Sequence, residues 1–345
     1  MMDRNRAACR IGLLSLCHMG IDFLCAFSLY RCFKERYEAF LLYNFCAFAL
    51  QMPFGILLDL WSDQKKKSFL PGFVFTVTGI ALTILGSFCS HVILGIGNAF
   101  FHVGGGVITI HEDDDSDLNG RGLGTFVAPG AIGLILGILY HGSALFETIR
   151  LIVSVMLVML GIILGINRTE NEYHEQQTIA FDRDLSYLAA LCFAVVVIRS
   201  VTGLAMSFSW KNGAFLTIVA TIALASGKTE GGFLSARFGM KKTILFSLLA
   251  AAIAYVFGNE SIAGLLALFA FNMTMPLTLY LLVQKMKRMP GMAFGILTFG
   301  LFIGYLPVHY GYLKNISPFP FGTIASLVSL VLLWIASDIS EGKDR

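Results

Sequence analysis

The sequence predicts an all-α integral membrane protein with twelve transmembrane helices arranged as two six-helix repeats, and three observations carry that prediction. First, 56% of the 345 residues are hydrophobic and only 14% are charged, about half the charge of a soluble domain. With a mean hydropathy of +0.74, the chain has more apolar surface than one or two globular cores can hide. A soluble enzyme, a disordered chain and a disulfide-stapled module are excluded. Second, the apolar residues fall into twelve continuous runs joined by short polar turns. A crossing helix takes roughly 20 such residues, whereas strands of a barrel would alternate apolar and polar. Third, features of the first half recur in the second.

The first run, 11–33, follows Arg4, Arg6 and Arg10. It is long and no small-x-small cleavage site follows it, so it reads as a retained helix and not a signal peptide. The second run, 38–60, ends in a basic turn, Lys65-Lys66-Lys67. Runs three and four cover 69–90 and 92–110. The fourth contains Gly104-Gly105-Gly106, and an acidic stretch, His111 to Asp117, reads as a solvated loop after it. Runs 122–140 and 147–167 complete an N-terminal six-helix bundle, 1–167. A polar linker follows over 168–185. The runs 186–209, 213–231, 243–257, 261–283, 291–312 and 319–337 then build a C-terminal bundle, 186–345.

The basic residues orient these runs. With the N-terminus in the cytoplasm, Lys65 to Lys67, Arg121, Arg168, Arg183, Arg237, Lys241, Lys242, Lys285, Lys287, Arg288, Lys343 and Arg345 all fall on the cytoplasmic side. Arg31, Lys34, Arg36, Arg150, Lys211 and Lys314 fall outside. The positive-inside rule then predicts a multi-pass protein of the inner (plasma) membrane with both termini cytoplasmic. The seven cysteines lack metal-ligand spacing and read as reduced side chains. No metal site, cofactor or nucleic-acid surface is predicted, and the lipid bilayer is the surrounding partner. A monomer is expected.

The repeat is visible at three places. Gly55-Ile-Leu57 precedes one basic turn and Gly232-Phe-Leu234 another. Gly124 and Gly133 have counterparts in Gly295 and Gly304, and Asn98 and His102 in Asn272 and Pro276. All three lie roughly half a chain apart. Paired halves with a site at the membrane midplane are a common plan of secondary transporters.

Gly55-Ile-Leu-Leu-Asp59 followed by Lys65-Lys66-Lys67 resembles the signature of the major facilitator superfamily after its second helix, and Gly232-Phe-Leu-Ser-Ala236-Arg237 is a second copy. The first lacks the Arg and Gly after its Asp, and the second has Ala236 where the acid belongs. The resemblance implies a major-facilitator-type fold and a gate at Gly55, Asp59, Lys65, Gly232 and Arg237. In the gate reading Asp59 pairs with a basic group or a helix N-terminus; in the other reading the lysines only set topology. A narrower resemblance, to the fosmidomycin-resistance branch, rests on His18-Met-Gly-Ile-Asp22, Phe101-His102 and Arg199-Ser200, with Val103 where members usually have Pro. Gly124-Thr-Phe-Val-Ala128-Pro129-Gly130-Ala-Ile132-Gly133 resembles the family's fifth-helix antiporter signature. It keeps Gly124, Pro129 and Gly133, while Ala128 and Ile132 replace glycines.

Polar groups inside apolar runs are the candidate site. His18 and Asp22 share one helix face at i, i+4, and ionisable groups at that depth are costly and usually face a cavity or a partner. They read as a proton-coupling or substrate-binding pair, or as a structural hydrogen bond. Asn98 and His102 repeat the spacing before the three glycines. Arg199 has no local acid and needs a partner on another helix, for which Asp22 is the candidate, or an anionic substrate. Asn272, Asn44 and Gln51 either bind substrate or join helices. His309 reads as interfacial, and Lys228 and Glu230 as snorkelling at the end of the eighth run.

No nucleophile elbow, metal quartet or phosphate loop is present, so no enzyme is expected. The expectation is a secondary transporter working by alternating access, with His18, Asp22, His102 and Arg199 lining a midplane cavity. It exports a small organic, possibly anionic, compound against protons. The alternatives are nutrient uptake or facilitated diffusion by the same fold, and a non-transporting receptor or assembly protein.

Overall fold

The computed structural model describes residues 2–33, 37–65, 69–167 and 183–342. Lys66 and Lys67 of the basic turn and nearly all of the central linker fall outside these residues, as does the side chain of Lys65. Every apolar run is helical. The helices are α1 (Met2–Cys32), α2 (Tyr37–Asn44, a π-helical turn Phe45–Ala49, then Gln51–Lys65), α3 (Phe69–Cys89), α4 (His91–Asp115), α5 (Arg121–Tyr140) and α6 (Phe146–Ile166). They continue as α7 (Arg183–Ala205), α8 (Gly213–Phe238), α9 (Met240–Val256), α10 (Ser261–Asn272 and Thr274–Lys285), α11 (Pro290–His309) and α12 (Pro318–Glu341).

Ten of these segments are long and apolar enough to cross a membrane. The other two are α8, diluted by Lys228 and Glu230, and α9, only 17 residues long. The protein is thus an all-α, multi-pass bundle of ten to twelve membrane helices. Its apolar residues face outward where water would not tolerate them. On α6, Leu151, Ile152, Val155, Met159, Ile162 and Ile166 are all exposed, whereas Arg150, Ser154, Leu157, Gly161 and Leu164 are buried. That division at helical spacing is what a helix between lipid and protein requires.

The chain forms two compact units, residues 1–117, 125–178 and 288–295 in one, and 118–124, 179–287 and 296–345 in the other. Their internal packing matches pair by pair. In the first unit α1 packs on α4 and α6, α4 packs on α2 and α3, and α3 packs on α6. In the second, α7 packs on α10 and α12, α10 on α8 and α9, and α9 on α12. The same pairs recur six helices later, as a two-repeat fold demands.

Local chemistry explains the breaks. The π turn of α2 is closed by the bond from the Leu50 amide to the Phe45 carbonyl, and Asn44 and Gln51 on either side of it donate to the carbonyls of Phe40 and Ala47. Both amides thus serve their own helix. α10 breaks at Met273 because Pro276 cannot donate to the Asn272 carbonyl and its ring crowds it. Beside the break, Asn272 Nδ2 donates to the Leu268 carbonyl and the Thr274 hydroxyl to the Phe271 carbonyl.

The acidic stretch expected as a solvated loop is instead helical as far as Asp115. Glu112 and Asp113 are buried. The reason is a remote partner: Arg10 Nη2 donates to Glu112 Oε2 at 2.6 Å, and Arg4 Nε to the Ser116 carbonyl at 3.1 Å. The basic start of α1 therefore clamps the acidic end of α4.

Candidate functional site

In the first unit α1, α4 and α5 bring polar groups together. His18 and Asp22 do share a face of α1, with Nε2 and Oδ2 3.2 Å apart. His102 of α4 meets both: its Nε2 lies 2.8 Å from His18 Nε2 and 3.6 Å from Asp22 Oδ1. Asn98, one turn earlier on α4, donates from Nδ2 to Asp22 Oδ1 at 3.1 Å. His18, His102 and Asn98 are buried, and the Asp22 side chain retains 20% exposure. Four candidate residues drawn from two separate stretches of sequence thus form one cluster.

The tautomers follow from the partners. His18 Nδ1 is 2.7 Å from the Phe126 carbonyl, and His102 Nδ1 is 2.8 Å from the Asn98 carbonyl. A carbonyl oxygen only accepts, so each Nδ1 carries hydrogen. Each neutral ring then presents a bare Nε2 lone pair. Two such lone pairs facing at 2.8 Å repel unless a cation stands between them, and Asp22 supplies the compensating negative charge.

The fifth helix builds the other side of the cluster. The Ser15 hydroxyl has the Ile11 carbonyl at 2.7 Å and the Thr125 carbonyl, to which Pro129 offers no N–H, at 3.1 Å. One residue on, the Phe126 carbonyl receives His18. α1 thus meets α5 at two backbone carbonyls in the turn before Pro129. Gly130 makes the approach possible, since a Cβ there would overlap His18 Nε2 and sit 2.6 Å from Asp22 Oδ2. Gly133 likewise sits against the Met19 backbone. The antiporter-like reading had singled out Gly124, Pro129 and Gly133; the glycine that touches the polar cluster is Gly130. Its signal in the sequence was only its place beside Pro129.

Arg199 lies in the second unit on α7. It is buried, and its Nε has no hydrogen-bond partner among the described residues. Ser200 beside it is committed, donating to the Leu301 carbonyl at 2.8 Å. Asn272, the repeat counterpart of Asn98, bonds its own helix instead of a carboxylate. His309 pairs through Nδ1 with the Tyr305 hydroxyl at 2.6 Å.

The residues of the basic-turn signatures divide. In the first unit Asp59 is buried and accepts from the Gly291 amide at 2.9 Å and the Met292 amide at 2.8 Å. These are the first free N–H groups of α11, because Pro290 has none. A carboxylate on a helix N-terminus satisfies orphan donors and opposes the positive end of the dipole. Gly55, one turn earlier, lets α2 lie directly on Gly291, where a Cβ would overlap the Gly291 carbonyl. Arg288 adds an exposed pair to Asp63 at 3.1 Å. In the second unit Gly232 and Gly124 mirror this close approach: Gly232 faces the Gly120 backbone and Gly124 the carbonyls of Lys228 and Thr229. Ala236 stands in the acidic position there and offers no carboxylate. Arg237 is exposed, 5.2 Å over the neighbouring Phe238 ring.

No family model matches the chain, and no curated protein matches it by sequence. Solved structures do. The E. coli fucose:proton symporter superposes with a TM-score of 0.64 over 97% of this chain and 98% of its own, at 14% identity. A structure of a major facilitator superfamily transporter in the outward conformation gives 0.62 at 13% identity, over 97% of this chain and 98% of that one. A bacterial homologue of the iron transporter ferroportin, outward-facing, gives 0.60 at 12% identity over 99% of both chains. Near-complete coverage in both directions, together with the matching helix pairs of the two units, establishes that this chain has the fold of the major facilitator superfamily transporters.

Proposed function

We propose that the protein is a secondary transporter working by alternating access, and that His18, Asp22 and His102 form its proton-coupling centre. The observation that carries this reading is the pair of imidazole nitrogens 2.8 Å apart beside a carboxylate, inside membrane helices. One proton held there satisfies all three groups, and losing it leaves a half-buried carboxylate beside two repelling lone pairs. A proton bound with such leverage on packing is suited to drive a conformational cycle.

The buried, unpartnered Arg199 supports a substrate carrying an anionic group, which a guanidinium receives through two parallel hydrogen bonds. For direction, the fold likeness to a proton symporter supports uptake better than the export that the partial fifth-helix signature suggests. The fosmidomycin-resistance resemblance rests on the residues around His18, His102 and Arg199 alone. Asp59 on the α11 N-terminus supports a gate in which that contact holds one conformation and breaks in the other. In this reading 1–167 and 186–345 are the two moving bundles, joined by 168–185, with the termini in the cytoplasm.

The test uses proteoliposomes loaded with a pH-sensitive dye and a panel of small carboxylates and sugars. An accepted solute is expected to carry protons inward with it and to accumulate only under an imposed pH gradient. Asp22→Asn is expected to abolish that accumulation while the protein stays folded. Accumulation in the Asp22→Asn protein equal to wild type overturns the coupling role.

A further inference from the structure

We propose that His18, Asp22 and His102 are also the ligands of a divalent first-row transition-metal ion, bound through the two Nε2 atoms and the Asp22 carboxylate. The inference rests on the reading of this cluster as the coupling centre for its consequence, because the same lone pairs cannot hold a proton and a metal at once.

The geometry is that of a two-imidazole, one-carboxylate site. One ligand atom from each residue lies within 4.8 Å of the others; the two Nε2 atoms are 2.8 Å apart, His18 Nε2 is 3.2 Å from Asp22 Oδ2 and His102 Nε2 is 3.6 Å from Asp22 Oδ1. Ligands about 2.0–2.2 Å from a tetrahedral ion stand roughly 3.3 Å apart, so the cluster brackets the required spacing and closing it on an ion asks for shifts of a few tenths of an ångström. The outer contacts are already in place. Each ring donates its Nδ1–H to a backbone carbonyl, of Phe126 and of Asn98, which fixes the ring and turns Nε2 toward the cluster. Asn98 Nδ2 steadies Asp22, and Cys25 Sγ lies 3.6 Å from the same Asn98 nitrogen.

One further observation points to a cation. Asn98 is buried and its Oδ1 has no donor among the described residues, so an acceptor stands beside the carboxylate with nothing to accept from. Gly130 brings only backbone against His18 Nε2 and Asp22 Oδ2, with no side chain between. The donor set also selects. Imidazole nitrogens suit Zn²⁺, Co²⁺ and Ni²⁺, while Mg²⁺ and Ca²⁺ prefer oxygen shells that one carboxylate cannot supply.

The full-length protein, purified in detergent and freed of metal with a chelator, is titrated with Co²⁺. The expected result is the intense visible absorption of a four- or five-coordinate site, saturating near one ion per chain. Zn²⁺ abolishes it, and Mg²⁺ and Ca²⁺ leave it unchanged. Asp22→Asn and His102→Gln lose the signal, and His309→Gln keeps it. Melting of each metal-free variant reports folding. Should His102→Gln not fold, His102→Cys, which keeps a metal-binding atom, is expected to restore binding with an added thiolate charge-transfer band. A spectrum that stays that of aqueous cobalt, or that persists in Asp22→Asn, overturns the proposal. Proton-driven flux in chelator separates the two readings. Flux without a cobalt signal overturns the metal site and leaves the coupling centre. A cobalt signal without flux overturns the coupling centre and leaves the metal site.

Discussion

His18 Nε2 is a lone pair with three claimants: His102, Asp22 and any cation that enters. Its position is set by Gly130, where the first methyl group would collide. Gly130→Ala is therefore expected to push His18 and Asp22 out of register. pH-driven flux should fall at least about tenfold, as small misplacements at a reacting centre do, with the melting temperature changed little. Gly12→Ala, with nothing within 4 Å of the added carbon, should leave flux at the wild-type level. Equal flux in both variants would show that cluster geometry does not matter to transport.

At the scale of elements, helix ends meet side chains from other helices. Asp59 of α2 caps α11, and Arg10 of α1 holds Glu112 near the end of α4. Asp59→Ala leaves the buried Gly291 amide and the half-buried Met292 amide unpaired, at about 1–3 kcal/mol for the buried one, and should lower the melting temperature clearly. Asp59→Asn keeps one acceptor and should fall between. Arg237→Ala, on an exposed side chain, should match wild type. Identical melting of all three would show that the α11 N-terminus is satisfied without Asp59. The second repeat has Ala236 where the acid stands in the first, so the gate proposed at Asp59 has no counterpart at that position.

At the scale of the whole molecule, the proposed topology, with an even number of crossings and both tails in the cytoplasm, rests on the lysines and arginines. A green fluorescent protein fused after the C-terminus should fluoresce, and an alkaline phosphatase fused there should be inactive. The reverse result would invert the topology drawn from the lysines and arginines.

Much of this architecture is legible along the chain. Continuous apolar runs mark the helices, and a carboxylate four residues from a histidine must share its face. Pro129 announces a bend and Pro276 the break of α10. Other features lie beyond such reading. Glu112 looks solvated in sequence because its neutralising partner is Arg10, on another helix. Asp59 finds amide donors near residue 291. Gly130 carries no mark that separates it from the small residues around it.

The sequence by itself determined the class of protein, the helices, their repeat and the depth of His18, Asp22, His102 and Arg199 in apolar segments. These follow from hydropathy and helical period, which are local properties. Only the tertiary structure decided that His102 meets His18 nitrogen to nitrogen, that Asn98 rather than Asn272 serves a carboxylate, and that Gly130 makes the room. Such meetings depend on the rotation and offset of packed helices, set by side-chain contacts along their whole length, and no single stretch of sequence encodes them.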